Sequence, residues 1–254
     1  MNQLDLKEEA ILCVNKITAA KLETTPFKFT VIDNFLSANL ANEAMNGFPP
    51  LSDPCWEHSK DKGIEVKSRT TWKSELDIPE HIVDVIRIVN SSLILTAMSD
   101  LFEIPKLMPD PYFSGGGLNV SEKNGHLDVH VDGNYHDASG LNRRMNLLIY
   151  FNPNWKEDWG GEFGIYTDEG NTLVKAVPPL FNRCVIFDSH DKSFHGLPNP
   201  IKFPNDDPRR SIILYYYTKA ERPGDQTVVR EPHSALWRSK GLVDKRGNKT
   251  RKSS

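Results

Sequence analysis

From about residue 112 onward the apolar residues recur at every second position, in one short run after another, and this change of period constrains the fold more than any other feature. The clearest run is His126-Leu127-Asp128-Val129-His130-Val131-Asp132, with polar side chains at even positions and apolar ones at odd positions, the pattern of a half-buried strand. Further strands are expected at 118–120, 144–151, 161–167, 172–177, 183–188 and 211–218, separated by turn-rich segments such as Asn152-Pro153-Asn154 and Gly160-Gly161. Before them the period is helical. A helix is predicted over 7–22 (Ala10, Ile11, Val14, Ile17, Leu22), a strand over 27–33, a helix over 38–47 capped by Ser37, and one long helix over 79–102. Residues 49–78 are mixed in character and support no assignment. A helical N-terminal third followed by many short strands predicts an α+β, mainly β chain: a jelly roll, or double-stranded β-helix, with helices packed outside it. The expected organisation is a helical region over 1–104, a core over 105–222 and a C-terminal extension over 223–254, all within one structural domain.

Composition narrows the partners. A net charge of -3 exerts no global pull toward nucleic acid or an anionic membrane, and the basic run from Lys245 to Lys252 reads as a solvated terminus. No apolar stretch approaches the roughly 20 residues that span a bilayer. The charged start Met1-Asn2-Gln3-Leu4-Asp5-Leu6-Lys7 lacks the apolar centre of a secretory signal, so a cytoplasmic location is expected. Cys13, Cys55 and Cys184 are odd in number and widely spaced, indicating neither a disulfide framework nor a thiolate zinc site.

The chemistry-bearing residues lie on the strands. His130-Val131-Asp132 and the downstream His195 supply two imidazoles and a carboxylate, a donor set that leaves three adjacent positions open on an octahedral ion, as in non-haem Fe(II) oxygenases. His126 and Asp128 are rivals four residues earlier, and on one continuous strand all four polar side chains share a face, so spacing alone does not choose between the pairs. His190 rivals His195 in the same way. Arg209 and Ser211 share a face of the last strand, where a guanidinium and a hydroxyl would suit a carboxylate ligand. Arg210 points away, and an ion pair with Asp206 or Asp207 is the structural alternative for this arginine pair.

Taken in order, Gly115-Gly116-Gly117, His130-Val131-Asp132, Arg143 to Asn152, Trp159-Gly160-Gly161-Glu162-Phe163, Phe187-Asp188, Ser193-Phe194-His195-Gly196 and Arg209 to Tyr217 resemble the Fe(II)/2-oxoglutarate-dependent oxygenase superfamily, prolyl-4-hydroxylase-like branch. The resemblance covers roughly 105–220, with a weaker echo in Val31-Ile32-Asp33-Asn34-Phe35-Leu36. It implies that His130, Asp132 and His195 bind Fe(II), and that Arg209 and Ser211 hold the distal carboxylate of 2-oxoglutarate; an alignment slipped by one residue would select Arg210. Arginine where many relatives of the animal prolyl hydroxylases use lysine points to a bacterial or viral type. The implied reaction uses O2 to convert 2-oxoglutarate to succinate and CO2 and hydroxylates a C–H bond, with ascorbate as a reductant. Halogenating relatives lose the carboxylate ligand, and Asp132 is present. Asn146 and Tyr150 are expected around the co-substrate; Asn119, Asn134 and His136 are further candidates for supporting or substrate contacts. Trp155 and Trp159 form either a substrate lid or a hairpin clasp. The expected substrate is a free amino acid or other small metabolite, a carbohydrate or lipid intermediate, or a peptidyl proline. The competing classes are an oxidative nucleic-acid demethylase, which would need a basic, aromatic channel, and a non-catalytic jelly-roll binding module, which should lack a ligand or the arginine.

Overall fold

A computed structural model describes residues 1–248 except Lys73, Gly115 and Asn205. Gly115 of the glycine run and the tail from Lys249 to Ser254 therefore lie outside the described residues. Helix α1 (Gln3–Thr18) begins earlier than its apolar period suggests, because the Asn2 side chain accepts from the amides of Leu4 and Asp5 while the Asp5 carboxylate accepts from the Asn2 amide. Strand β1 (Phe29–Ile32) and helix α2 (Ala38–Asn46) follow, the latter capped by Ser37 Oγ accepting from Leu40 N at 3.3 Å. The unassigned stretch holds a hairpin, β2 (Trp56–Asp61) and β3 (Glu65–Thr70). The long helix expected over 79–102 is two helices, α3 (Glu80–Val89) and α4 (Ser92–Phe102), bent by 48°. The break falls at Asn90-Ser91, residue types that prefer helix ends to helix interiors.

The remaining strands are β4 (Met108–Pro109), β5 (Gly117–Ser121), β6 (His126–Leu127), β7 (His130–Val131), β8 (Asn142–Tyr150), β9 (Phe163–Thr167), β10 (Thr172–Val177), β11 (Arg183–Asp188), β12 (His195–Gly196), β13 (Arg209–Thr218) and β14 (Leu236–Trp237). They form two antiparallel sheets. The major one runs β1-β11-β8-β13-β5-β3-β2, with β4 against β13 and β6 against β3; the minor one runs β10-β9-β12-β7-β14. This is the expected double-stranded β-helix, with two differences at its margins. Strands β1 to β3 make the N-terminal third part of the major sheet, and β14 carries the C-terminal extension into the minor one.

The major sheet is apolar on both faces. Met145, Leu147 and Ile149 on β8, with Ile212, Leu214 and Tyr216 on β13, pack with Ile82, Ile86, Met98 and Phe102 of the helices. The alternate residues Leu148, Tyr150, Val185 and Phe187 meet Phe163, Ile165 and Val177 of the minor sheet. At about 1.5–3 kcal/mol per fully buried large apolar side chain, covering the outer face is what requires the helices.

The run from His126 to Asp132 is not one strand. Its first two residues pair with β3 in the major sheet, and His130 and Val131 pair with β12 and β14 in the minor sheet. The chain changes sheets at Asp128-Val129, where the Asp128 amide donates to Ile64 O (2.7 Å) and the Asp128 carboxylate accepts from Ser239 N (2.8 Å). The four polar side chains consequently do not share one face.

Candidate metal centre and co-substrate pocket

His130 and His195 are cross-strand partners on β7 and β12, so their rings lie 4.4 Å apart between centroids. Asp132 follows two residues after His130 and turns its carboxylate to both: Oδ1 is 3.8 Å from His130 Nε2 and Oδ2 is 3.6 Å from His195 Nε2. One donor atom from each residue can be chosen so that all three lie within 4.8 Å of one another, and all three residues are buried. Each ring is fixed from behind. His130 Nδ1 lies 2.9 Å from the Asp128 carbonyl and His195 Nδ1 lies 2.9 Å from the Ser193 carbonyl, so each Nδ1–H donates to its carbonyl and each Nε2 presents a lone pair forward. Burial and the neighbouring His195 push the His130 imidazole down to about 4, leaving it neutral and able to ligate. Burial opposes ionisation of Asp132, but His195, Arg143, His130 and the Asn146 amide together hold its carboxyl below the usual range. Two imidazoles and one buried carboxylate are the donor set that suits a divalent iron, and the residues fit that ion.

The carboxylate is itself positioned. Asp132 Oδ2 accepts from Asn146 Nδ2 at 2.6 Å and Ser189 Oγ at 3.5 Å, and Oδ1 lies 3.2 Å from Arg143 Nη1. Asn146, expected with the co-substrate, thus turns its amide nitrogen to Asp132 and leaves its Oδ1 without a partner among the described residues. Arg143 was assigned no site role from its place in the sequence. A register shift brings it here: Tyr216 opposes Met145 but Tyr217 opposes Arg143, skipping Arg144, and such a bulge re-aims the next side chain. The Arg143 guanidinium lies 3.8 Å from the centroid of the Tyr215 ring.

Deeper between the sheets, a cavity of about 70 Å³ is bounded by the three candidate ligands together with Asn119, Asn146, Arg209, Leu148, Phe163 and Phe187. Arg209 donates through Nε to Gly161 O (2.7 Å), and its guanidinium carbon is 4.9 Å from the Tyr150 ring centroid. No carboxylate lies within ion-pair distance of Arg209 among the described residues. Burial disfavours its charge and lowers its pKa, a cost that a carboxylate ligand would relieve. Cross-strand register places Ser211 between Asn119 and Tyr150. Among the described residues, Asn119 Nδ2, Ser211 Oγ and Tyr150 OH are all buried without a hydrogen-bond partner. Such groups cost about 1–3 kcal/mol each when left unpaired, so this row suits a polar ligand.

The rival residues fall elsewhere. Arg210 bonds Asp207 at 2.6 Å on the opposite face, which leaves Arg209 as the arginine of the cavity. His126 and His190 lie outside the candidate group, as does Asp128, whose carboxylate is held by Ser239. His136 bonds Asp110 (2.9 Å) and accepts from the amides of Ala138 and Ser139, stapling a loop. Asn134 bonds the carbonyls of Val229 and Glu231 and the amide of His233, tying down the C-terminal extension. Trp155 closes its hairpin by donating to Gly160 O, and Trp159 packs on Phe203 at 5.2 Å, so these tryptophans form the clasp rather than a lid. Trp237, which nothing in the sequence singles out, stacks on His130.

A double-stranded β-helix with His-X-Asp and a distant histidine at one place between its sheets, and a buried arginine deeper in, defines the non-haem iron, 2-oxo-acid-dependent class. Residues 116–217, the strand-rich core, match the family model described as the 2OG-Fe(II) oxygenase superfamily. A prolyl 3-hydroxylase of Mus musculus, OGFOD1, is 29% identical over 106 residues, covering 39% of this chain. That match spans 19%, about a fifth, of the length of the curated relative. The fold is similar to a Trichoplax adhaerens prolyl hydroxylase solved with a peptide fragment of the hypoxia inducible factor oxygen degradation domain (TM-score 0.55, 17% identity, 85% of this chain and 94% of that one). It is likewise similar to a Pseudomonas putida prolyl-4-hydroxylase (TM-score 0.54, 13% identity, 83% and 99%).

Proposed function

We propose that the protein is an Fe(II)- and 2-oxoglutarate-dependent dioxygenase that hydroxylates an aliphatic C–H bond, in a small molecule or a prolyl residue of a peptide. The observation that carries this reading is the pair of imidazoles whose Nδ1–H groups are tied to backbone carbonyls, so that both Nε2 atoms converge with Asp132 while Arg209 stands behind them with no carboxylate partner among the described residues. Iron, 2-oxoglutarate and O2 together supply the oxidising power, with succinate and CO2 as co-products. This chain's own part is positional and electrostatic. His130, His195 and Asp132 hold the ion; Arg209 neutralises the distal carboxylate; the Ser211 and Tyr150 hydroxyls donate to it. The apolar walls Leu148, Phe163 and Phe187 keep water from the reacting centre. Asn146, Ser189 and Arg143 orient the Asp132 carboxylate. The 29% identity to a prolyl 3-hydroxylase supports a prolyl substrate. Three cysteines held as free thiols support a cytoplasmic location, which fluorescence imaging of the tagged chain tests.

Anaerobic addition of Fe(II) and 2-oxoglutarate should produce the weak visible charge-transfer absorption of a chelated 2-oxo acid. Wild-type protein without that band, or a His130→Ala variant that retains it, would sink the assignment. Succinate release with a prolyl peptide should disappear in Asp132→Ala.

A further inference from the structure

The candidate centre is completed by a segment outside the family match, which ends at residue 217. Trp237 on β14 is the cross-strand partner of His130, and its ring stacks on the imidazole at 4.5 Å between centroids and 27° between planes. Trp237 is 4% exposed, so it is a wall and not a surface group. The two residues after it act on the same histidine by another route. Arg238 N donates to Val129 O (2.9 Å) and Ser239 N donates to the Asp128 carboxylate (2.8 Å), fixing the two residues that precede His130. One of these, Asp128, supplies the carbonyl that accepts from His130 Nδ1. Ser239 Oγ also bonds Gly63 O, and Lys245 bonds Glu65 Oε1 at 2.6 Å, so the β2–β3 hairpin is tied to the same strap.

We propose that Trp237 is a positioning residue for the metal ligand His130: the strap formed by residues 237–245 sets the angle at which the imidazole presents Nε2. The imidazole can turn only about its bond to the backbone and its χ2 torsion. One face meets the indole, Nδ1 is anchored by a carbonyl that the strap immobilises, and Nε2 is left on the line toward Asp132 and His195. Without the indole the ring gains freedom to swing toward the vacated space, and the ion then binds to a ligand set that must first be ordered.

This inference rests on His130 being a metal ligand, and the experiment separates the two claims. Metal-free wild type, His130→Ala, Trp237→Ala, Trp237→Phe and Leu236→Ala are titrated with Co(II) under nitrogen. Affinity is read by calorimetry and ligand geometry by the visible d–d bands, with thermal melts alongside. Trp237→Ala should bind Co(II) about 10–100-fold more weakly, the range expected when a partner that orients a metal ligand is lost, with altered d–d bands, and Phe should restore most of both. Leu236 faces the other side of the same strand, in the outer cluster with Val129, Val131, Tyr166 and Phe194. Its replacement should lower the melting temperature and leave Co(II) affinity unchanged. A folded Trp237→Ala with wild-type affinity overturns the proposal, as does a loss of affinity in Leu236→Ala equal to that in Trp237→Ala, which would make the effect one of general stability. If Trp237→Ala does not fold, Trp237→Leu, which keeps bulk without a ring, decides: wild-type affinity overturns the proposal, and weakened affinity that Phe restores supports it. Wild type that binds no Co(II) overturns both claims, whereas wild type and His130→Ala behaving as expected beside unaffected Trp237 variants overturns this one alone.

Discussion

Arg209 and Arg210 are neighbours in sequence with opposite surroundings. The first is buried in the cavity against the Gly161 carbonyl and the Tyr150 ring, with no carboxylate within ion-pair distance among the described residues, and the second pairs with Asp207 in a partly exposed ion pair. A charge-assisted carboxylate contact is worth about 1.5–3 kcal/mol, so Arg209→Ala should raise the dissociation constant for 2-oxoglutarate by roughly 10–150-fold. Arg210→Ala should leave it unchanged and cost at most ~1 kcal/mol of stability; the reverse result would place the co-substrate on the wrong face. His190 supplies the second residue-scale test. Its Nδ1 accepts from Lys192 N at 3.1 Å, and burial, with Arg222 nearby, pushes its imidazole from 6.5 down to about 4. The unfolded chain therefore takes up this proton first. Stability from this group is complete above pH 6.5 and is lost as pH falls toward 4, by up to about 3 kcal/mol. In His190→Asn, whose Oδ1 can accept from the same amide, urea denaturation across that window should show a shallower decline. His130 contributes a separate loss over the same range, so the slope should shrink and not vanish.

At the scale of elements, the Trp159-Gly160-Gly161 turn shows why a short motif carries information. Gly161 has φ +80°, and a Cβ there would stand 2.9 Å from Arg209 Cδ, whereas a Cβ on Gly160 (φ +66°) would meet the Pro200 carbonyl at 3.1 Å. Alanine at either position should cost about 1–2 kcal/mol in backbone strain, but only Gly161→Ala should also weaken 2-oxoglutarate binding, because only that methyl displaces the arginine. Equal binding by the two variants would disconnect the turn from the pocket. Signals of this kind made β8, β11 and β13 and their inward-facing residues legible in the sequence: long apolar runs buried on both faces, punctuated by glycine, proline and charge. The β2–β3 hairpin was not legible, since Glu57, His58, Lys60 and Asp61 alternate with nothing apolar. Nor was the division of 126–132 between two sheets, because local alternation is the same whether or not a strand changes partners; what separates His130 from His126 is that one pairs with His195 in the minor sheet and the other with Val66 in the major sheet. A two-residue strand such as β14 has no period to detect, so Trp237 could not be found from sequence.

For the whole molecule, the two sheets are closed on both outer sides by chain that flanks the core. The N-terminal helices cover the major sheet, and the C-terminal extension covers Val129, Val131 and Phe194 of the minor one. Asp191 joins that extension to the core. Its Oδ1 binds Arg222 Nη1 (2.6 Å) and His233 Nε2 (3.1 Å), its Oδ2 accepts from the amides of Val228 (2.8 Å) and Val229 (2.9 Å), and Arg222 in turn donates to Arg143 O. Although burial works against it, the bonds from His233 and Val229 and the charge of Arg222 hold the Asp191 carboxyl down at about 2. Removing this carboxylate leaves Arg222, whose side chain is 5% exposed, charged and without its ion-pair partner. Breaking a buried pair in this way costs about 3–5 kcal/mol, and at roughly 2–4 °C per kcal/mol for a chain of this size, Asp191→Ala should melt about 6–20 °C lower than wild type. If the flanking regions and the core form one structural unit, far-UV and near-UV dichroism will lose signal at the same temperature in both proteins. A variant in which the near-UV transition, dominated by tryptophans such as Trp237, precedes the far-UV one would show instead that the extension unfolds from an intact core.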